Sequence, residues 1–319
     1  MISFVIPVRD DAERLKRCLE RITESAPQGC DLEIVVADNG STDQSAAVAR
    51  EAGAVVIDAP GLNVSSLRNL AAAKASGAVL AFVDADNEIV PGWVAAALDA
   101  LAMKRTGAVG APYHPPVPGT WVQRVYDGLR RHPKDLEIVE WLGSGNLAIR
   151  RDVFDEVQGF DATLETCEDV DLCRKLRAAG YVLLADRRMK NVHHGDPATL
   201  RAVFFGELWR GRDNIRVSLR RPLSARTVAS AIIPAANLGV LALLGAGLLS
   251  RSTAGLIVAA GAAGVLISSV VLRASAISRT GGIADWPKAI AVAAAYEAGR
   301  ALALAGRFGH GRRRRAAIA

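Results

Sequence analysis

The residues Asp84-Ala85-Asp86 follow directly on the apolar run Val79-Leu80-Ala81-Phe82-Val83. In extended backbone, residues i and i+2 point to the same face, so the two carboxylates can converge on one ion or one polar ligand. Oxygen ligands of this kind suit Mg²⁺ or Mn²⁺, above all when a substrate diphosphate completes the coordination shell. The alternative is a solvated acidic turn. A second polar cluster, Asp38-Asn39-Gly40-Ser41-Thr42-Asp43, also follows an apolar run. Its side chains can grip a base or ribose by hydrogen bonds, or can serve as a turn and helix cap.

The elements that must position these groups alternate between strands and helices. Ile2 to Ile6, Glu33 to Ala37, Val55 to Asp58 and Val79 to Val83 read as strands. Between them, 11 to 25, 44 to 52 and 65 to 76 read as helices, the first with Leu15, Leu19 and Ile22 on one face. Such alternation predicts a parallel sheet covered by helices, whose ligands bind beyond the carboxyl ends of the strands. Both acidic clusters fall there. A helix over 91 to 103 and a Pro-rich loop over 111 to 119 follow, then the glycine-rich turn Trp141-Leu142-Gly143-Ser144-Gly145-Asn146. Beyond it come a strand over 147 to 149, a helix over 151 to 157, a helix opening near Glu168-Asp169, and a strand over 182 to 185.

The chain has 319 residues, half of them hydrophobic, and a positive mean hydropathy of +0.20. The apolar excess is local. No charge occurs from Val228 to Leu249 or from Thr253 to Leu272. At about 1.5 Å per residue each covers a hydrocarbon core of about 30 Å, and Ser250-Arg251-Ser252-Thr253 would join them as a transmembrane hairpin. Arg220, Arg221 and Arg226 precede the hairpin, and Arg273 and Arg279 follow it. The positive-inside rule then puts both ends and the preceding domain in the cytoplasm, on an inner membrane. A third segment, Trp286 to Phe308, carries Lys288, Glu297 and Arg300 within one half of a helical wheel and is expected to lie in the interface. Crossing would carry Arg312 to Arg315 outside, against the charge rule.

The formal net charge is +6 and the pI about 9.4. Because the basic clusters flank apolar segments, lipid headgroups are the expected partner, and no motif supports nucleic acid. Cys18, Cys30, Cys167 and Cys173 show no zinc-ligand spacing and read as reduced thiols. The start, Met1-Ile2-Ser3-Phe4-Val5-Ile6-Pro7, reads as a strand without the features of a signal peptide.

The ordered set Val5-Ile6-Pro7-Val8, Asp38 to Asp43, Arg68-Asn69, Asp84-Ala85-Asp86, Gly159-Phe160-Asp161 and Glu168-Asp169-Val170-Asp171-Leu172 resembles a family 2 glycosyltransferase over about residues 1 to 215. The resemblance implies a GT-A fold, a Rossmann-like mixed sheet with helices on both faces, and inverting transfer from a nucleoside-diphosphate sugar. Pro7, Asp38, Asn39, Arg68 and Asp84 then match the donor-nucleotide segments, and Asp86 the direct metal ligand. Asp84 would meet ribose or metal-bound water. Inversion needs a carboxylate to take the acceptor hydroxyl proton; Asp169 is the favoured base, with Glu168 as alternative or support. His193 or His194 would supply a further metal ligand, with His193 favoured. Gly143, Ser144 and Asn146 match a loop bordering donor sugar and acceptor, where glycine permits close backbone approach. Trp141 would pack on a sugar face or fill the core.

The pattern Gln-x-x-Arg-Trp of processive synthases is poorly matched by Gly206-Glu207-Leu208-Trp209-Arg210, so addition of one or few sugars is expected. The implied domains are a nucleotide-sugar half over 1–105, an acceptor half over 106–226 and a membrane region over 227–319. The implied acceptor is lipid-linked or part of the cell envelope. A catalytically silent membrane scaffold and a nucleotidyltransferase are the competing classes; the latter lacks its glycine-rich basic loop here.

Overall fold

The computed structural model describes residues 1–27, 29–250, 252–282 and 285–315, without side chains at 281 and 307–315. Arg251 of the hairpin link and the side chains of Arg312 to Arg315 lie outside the described residues. The chain runs β1 (Ile2–Val8), α1 (Ala12–Ser25), β2 (Leu32–Asp38), α2 (Ser45–Glu51), β3 (Val55–Asp58), α3 (Val64–Lys74), β4 (Val79–Val83), β5 (Asn87–Ile89), α4 (Trp93–Leu101), β6 (Thr106–Gly110) and α5 (Trp121–Asp127). It continues through β7 (Leu136–Val139), β8 (Asn146–Arg150), α6 (Arg151–Glu156), α7 (Glu168–Ala178), β9 (Val182–Asp186), β10 (Asn191–His193) and α8 (Leu200–Arg210). The remainder is α9 (Asn214–Ser218), α10 (Ala225–Leu249), α11 (Thr253–Gly281) and α12 (Trp286–Arg315).

Residues 1–116 and 132–196 form one compact unit, and residues 117–131 and 197–319 another. The first holds an eight-stranded mixed sheet ordered β3-β2-β1-β4-β8-β6-β9-β7 and a ribbon of β5 and β10. β1 to β4 are parallel, and β8 runs antiparallel between β4 and β6. That insertion joins the two halves of the expected GT-A domain, 1–105 and 106–226, through one sheet. The alternation of β1 sends Phe4 and Ile6 to one apolar layer with Leu15, Leu19 and Trp93. It sends Val5 to the other, with Leu67, Phe82, Phe154 and Leu172. β6 is glycine-rich because its neighbours come very close: a Cβ on Gly110 would stand 2.3 Å from the Asn146 carbonyl oxygen.

The second unit is helical. Val122, Val125 and Tyr126 of α5 pack with Val203 of α8, Ala274 and Ile277 of α11, and Ala289, Val292 and Ala293 of α12. This packing explains why residues 117–131 leave the sheet's unit. α10, α11 and the Trp286–Gly306 part of α12 are each long and apolar enough to cross a membrane. α11 leaves Leu256, Ile257, Val265, Ile267 and Leu272 exposed, and α10 leaves Ile232, Leu243, Leu248 and Leu249 exposed. So much open apolar surface is not what a water-facing helix pair presents.

α12 departs from the expectation in its charged half. Glu297 is buried, accepting from Arg273 Nε at 2.8 Å and Asn237 Nδ2 at 2.9 Å. Arg300 Nε donates at 2.6 Å to the buried Glu207 of α8. These two charges turn inward because other helices supply their partners, while Trp286, Ile290 and Leu302 face outward. The helical wheel shows that charges share a side; it does not show what that side meets.

Candidate active site

The site grows from the carboxyl ends of β1, β2 and β4. At the end of β2, Asp38 is buried and its Oδ1 accepts from the Ser41 amide at 2.9 Å. The following loop is stitched to the end of β1: the Thr42 amide donates to Asp10 Oδ1 at 2.7 Å, and Asp43 accepts from the Ala12 amide at 3.0 Å. Asn39 Nδ2 donates to the Leu62 carbonyl, which leaves Asn39 Oδ1 buried and without a hydrogen-bond partner among the described residues. An orphaned acceptor beside half-buried Pro7 and Asp38 suits a ligand donor such as a base N–H.

Arg68 of α3 is 3% exposed. Its Nη2 donates to Asp84 Oδ1 at 2.6 Å and its Nη1 to Glu168 Oε1 at 2.7 Å. The sequence suggests that this residue approaches the nucleotide; the structure makes it a bridge from the end of β4 to the first turn of α7. Glu168, also bonded by Ser144 Oγ at 3.1 Å, is buried and occupied. Asp169 is the half-buried, better-placed member of the pair. Burial pushes its pKa to about 7, helped by the neighbouring Glu168 charge and opposed by the Val170 amide, Arg68 and a hydrogen bond from the Trp141 side chain. Trp141 therefore touches the candidate base. Cys167, just before, has φ +61, an uncommon value for a residue with a side chain, and it sets the abrupt turn into α7.

Asp84 and Asp86 flank a tight turn closed by the Asn87 amide to the Asp84 carbonyl at 3.0 Å. Asp84 is held close under the glycine-rich turn, where a Cβ on Gly145 would meet Asp84 Oδ2 at 2.1 Å. Asp86 Oδ2 lies 3.4 Å from His193 Nε2, and the other ring nitrogen, Nδ1, is 2.7 Å from Asp196 Oδ1. The ring stacks on Tyr113 with centroids 4.8 Å apart. Burial raises the Asp86 pKa, offset by His193 and reinforced by Asp84.

A carboxylate and an imidazole nitrogen that face each other, with the far nitrogen fixed by a buried acid, form the arrangement that orients a histidine for a divalent cation. The donors fit Mn²⁺ or Mg²⁺, and Gly195 keeps the approach clear, since its Cβ would stand 2.1 Å from Asp86 Oδ2. Of the two histidines, His193 faces Asp86. His194 Nε2 instead lies 2.8 Å from Glu88 Oε1, an ion-pair distance outside hydrogen-bond geometry.

Asn146, expected in the loop bordering donor sugar and acceptor, spends its side chain on the protein's own groups. It is fully buried: Nδ2 donates to the Ala111 and Met189 carbonyls and Oδ1 accepts from Trp93 Nε1 at 2.7 Å. Its amide pins β8 beneath the site. Gly143 gives room to the Tyr113 hydroxyl, which accepts from the Gly145 amide at 3.0 Å. Sequence reasoning missed Tyr113 and Asp196; only the three-residue spacing from His193 to Asp196 could have flagged the latter.

Residues 3–158 match the profile of Glycosyl transferase family 2. The chain is 26% identical over 246 residues to glycosyltransferase AglE of Haloferax volcanii, covering 71% of this chain and 77% of that protein. It is 25% identical over 220 residues to the O-antigen biosynthesis protein RfbC of Myxococcus xanthus, which is 60% of this chain and 17% of that one. Among solved structures, the mannosyltransferase PcManGT from Pyrobaculum calidifontis, in complex with GDP-Man and Mn²⁺, superposes with TM-score 0.64 at 16% identity, covering 95% of this chain and 86% of that one. GalNAc-T7 with UDP, GalNAc and Mn²⁺ gives TM-score 0.50 at 19% identity, covering 61% and 43%. These matches support a family 2 glycosyltransferase with a GT-A fold, and the chain is a glycosyl-transfer enzyme.

Proposed function

We propose that this enzyme transfers one sugar, with inversion, from a nucleoside-diphosphate donor to a lipid-linked or cell-envelope acceptor at the cytoplasmic face of a membrane. The observation that carries this reading is the Arg68 bridge, which ties the end of β4, with Asp84, to the helix that presents Asp169. Donor-side acid and candidate base are thereby held in one frame. AglE and PcManGT, both glycosyltransferases by name, lend support, the latter with its GDP-Man and Mn²⁺.

Asp38 and Asn39 hold the base and ribose, and Asp86 with His193 holds Mg²⁺ or Mn²⁺. Such an ion, when bound, neutralises charge on the departing diphosphate. Asp169 takes the proton of the acceptor hydroxyl as that oxygen attacks the anomeric carbon from the face opposite the diphosphate. A base with a pKa of about 7 is half deprotonated near neutral pH and strong enough to assist the attack. Arg68 and Ser144 fix Glu168 as a support for this residue.

For the membrane, the reading is a crossing hairpin of α10 and α11, with α12 beside α8 in the interface. Gly299 of α12 lies against Phe204 and Glu207 of α8, and α8 carries exposed Arg201, Phe205 and Trp209. A helix with that mixture suits headgroup depth better than hydrocarbon.

A panel of UDP, GDP and dTDP sugars tests the function, read first as Mn²⁺-dependent thermal stabilisation and then as the anomeric configuration of the product. A stabilising donor whose sugar is transferred with inverted configuration is expected. Retention of configuration would overturn the role of Asp169.

A further inference from the structure

Beside the metal-facing residues, the first unit contains a cavity of about 180 Å³ lined by Ala111, His114, His132, Pro133, Lys134, Arg187 and Lys190. It sits where β6 and β9, parallel neighbours, both end: Ala111 follows Gly110, and Arg187 follows Asp186. That is the same kind of sheet edge that bears the donor-side acids. The two places share one stretch of extended backbone. The His114 amide donates to the Asn191 carbonyl at 3.1 Å and the His193 amide to the His114 carbonyl at 2.9 Å. Along it, Tyr113 stacks on His193, whereas His114 lines the cavity and stacks on His132, with centroids 4.2 Å apart.

The lining is one-sided in charge. Lys134, Arg187 and Lys190 are cationic, and no carboxylate is among the lining residues. Arg187 is shared with the exposed Asp135 at 3.3 Å, but Lys134 and Lys190 make no ion pair among the described residues. Three like charges around one concavity repel each other, and an anion seated between them relieves that repulsion. A phosphoryl group, doubly charged with three terminal oxygens, matches two ammonium groups and a guanidinium better than a carboxylate does. At about 30 Å³ per water molecule, the cavity holds about six waters, enough to be displaced by one or two phosphoryl groups.

We propose that this cavity seats a phosphoryl group of the acceptor, so that the enzyme's acceptors are phosphate-bearing. The proposal rests on the transferase reading. The source is a hydroxyl-bearing glycan carried on a membrane-borne prenyl phosphate or diphosphate, or a soluble sugar phosphate. The phosphate is held by Lys134, Arg187 and Lys190 while the acceptor hydroxyl reaches Asp169.

The test uses the full chain in detergent and begins without metal, in EDTA, so that donor binding does not contribute. Inorganic phosphate titrated by calorimetry is expected to bind saturably and more tightly than acetate. Lys134→Ala/Lys190→Ala should weaken it about tenfold or more, since each loses a charge-assisted contact, and Lys134→Arg/Lys190→Arg should restore it. Asp86→Asn should leave it unchanged. In the second arm, farnesyl phosphate in micelles and glucose 1-phosphate compete with inorganic phosphate; the stronger competitor identifies the membrane-borne or the soluble source. Absence of saturable binding, equal binding of acetate, or insensitivity to the lysine pair overturns the proposal. Lysine-dependent phosphate binding without turnover of any sugar nucleotide would contradict the transferase reading and the acceptor role. Turnover without such binding would defeat the phosphate site alone.

Discussion

His193 Nδ1 lies 2.7 Å from Asp196 Oδ1, and Asp196 is buried, so the ring is held with Nε2 toward Asp86. This pair turns a histidine at the end of β10 into a metal-ligand candidate. Asp196→Ala should leave the ligand atoms present but loosen their aim. Mn²⁺ affinity, read by electron paramagnetic resonance with a nucleoside diphosphate present, is expected to fall about 10- to 100-fold. Unchanged affinity would remove His193 from the metal site.

Arg68→Met should cost about 3–5 kcal/mol, because Asp84 and Glu168 would then face each other without the buried guanidinium between them. A thermal midpoint lowered on the order of 10 °C is the expected result. Arg68→Lys should recover only part of this, since one ammonium group replaces a fork that reaches two carboxylates.

Gly145→Ala places a Cβ 2.1 Å from Asp84 Oδ2 and 2.9 Å from the Tyr113 hydroxyl. Asp84 must move. Donor affinity, followed by nucleotide-dependent thermal stabilisation, should drop about tenfold, which is one displaced charged contact. A wild-type response would show that Asp84 does not face the donor.

The pKa of about 7 at Asp169, against an ordinary 3.8, has opposite consequences for stability and activity. The folded protein holds this proton more tightly than the unfolded chain, so the Asp169 contribution to stability declines as pH rises from 3.8 to about 7. Activity needs the ionised base, so kcat/KM should fall about tenfold per pH unit below about 7. Asp169→Asn should remove that limb and reduce turnover about 10²- to 10⁴-fold while donor binding persists.

A tag following α12 should be accessible from the same side as the first unit if α10 and α11 alone cross. Protection on that side, with labelling from the other, would show that Trp286–Gly306 crosses as well.

The sequence makes legible the parts governed by local rules. Strand ends at Ala37, one residue short of the observed Asp38, and at Val83, the helix at Arg151 and the hairpin at 228 to 272 all follow from periodicity and from Gly, Asp and Pro punctuation. What it hides depends on partners distant along the chain. β7, with Leu136 exposed and only four residues, joins the sheet by pairing with β9. Asn146 looks like a site residue because it is polar beside glycines, yet its amide is consumed by carbonyls from residues 111 and 189. Glu297 resembles a surface charge until Arg273 and Asn237 are brought to it. In each case a long-range partner, not a local propensity, decides what the side chain does.

On this reading transfer is metal-dependent, with Asp86 and His193 holding the cation. The most direct measurement is nucleoside-diphosphate release by the purified full chain, supplied with the donor sugar that stabilises it, membrane extract as acceptor source and Mn²⁺ or Mg²⁺. Release should be abolished by EDTA, restored by added cation, and reduced at least 100-fold in Asp86→Asn, in line with losing a principal stabiliser of the leaving group. Release that persists in EDTA and in Asp86→Asn would contradict the account.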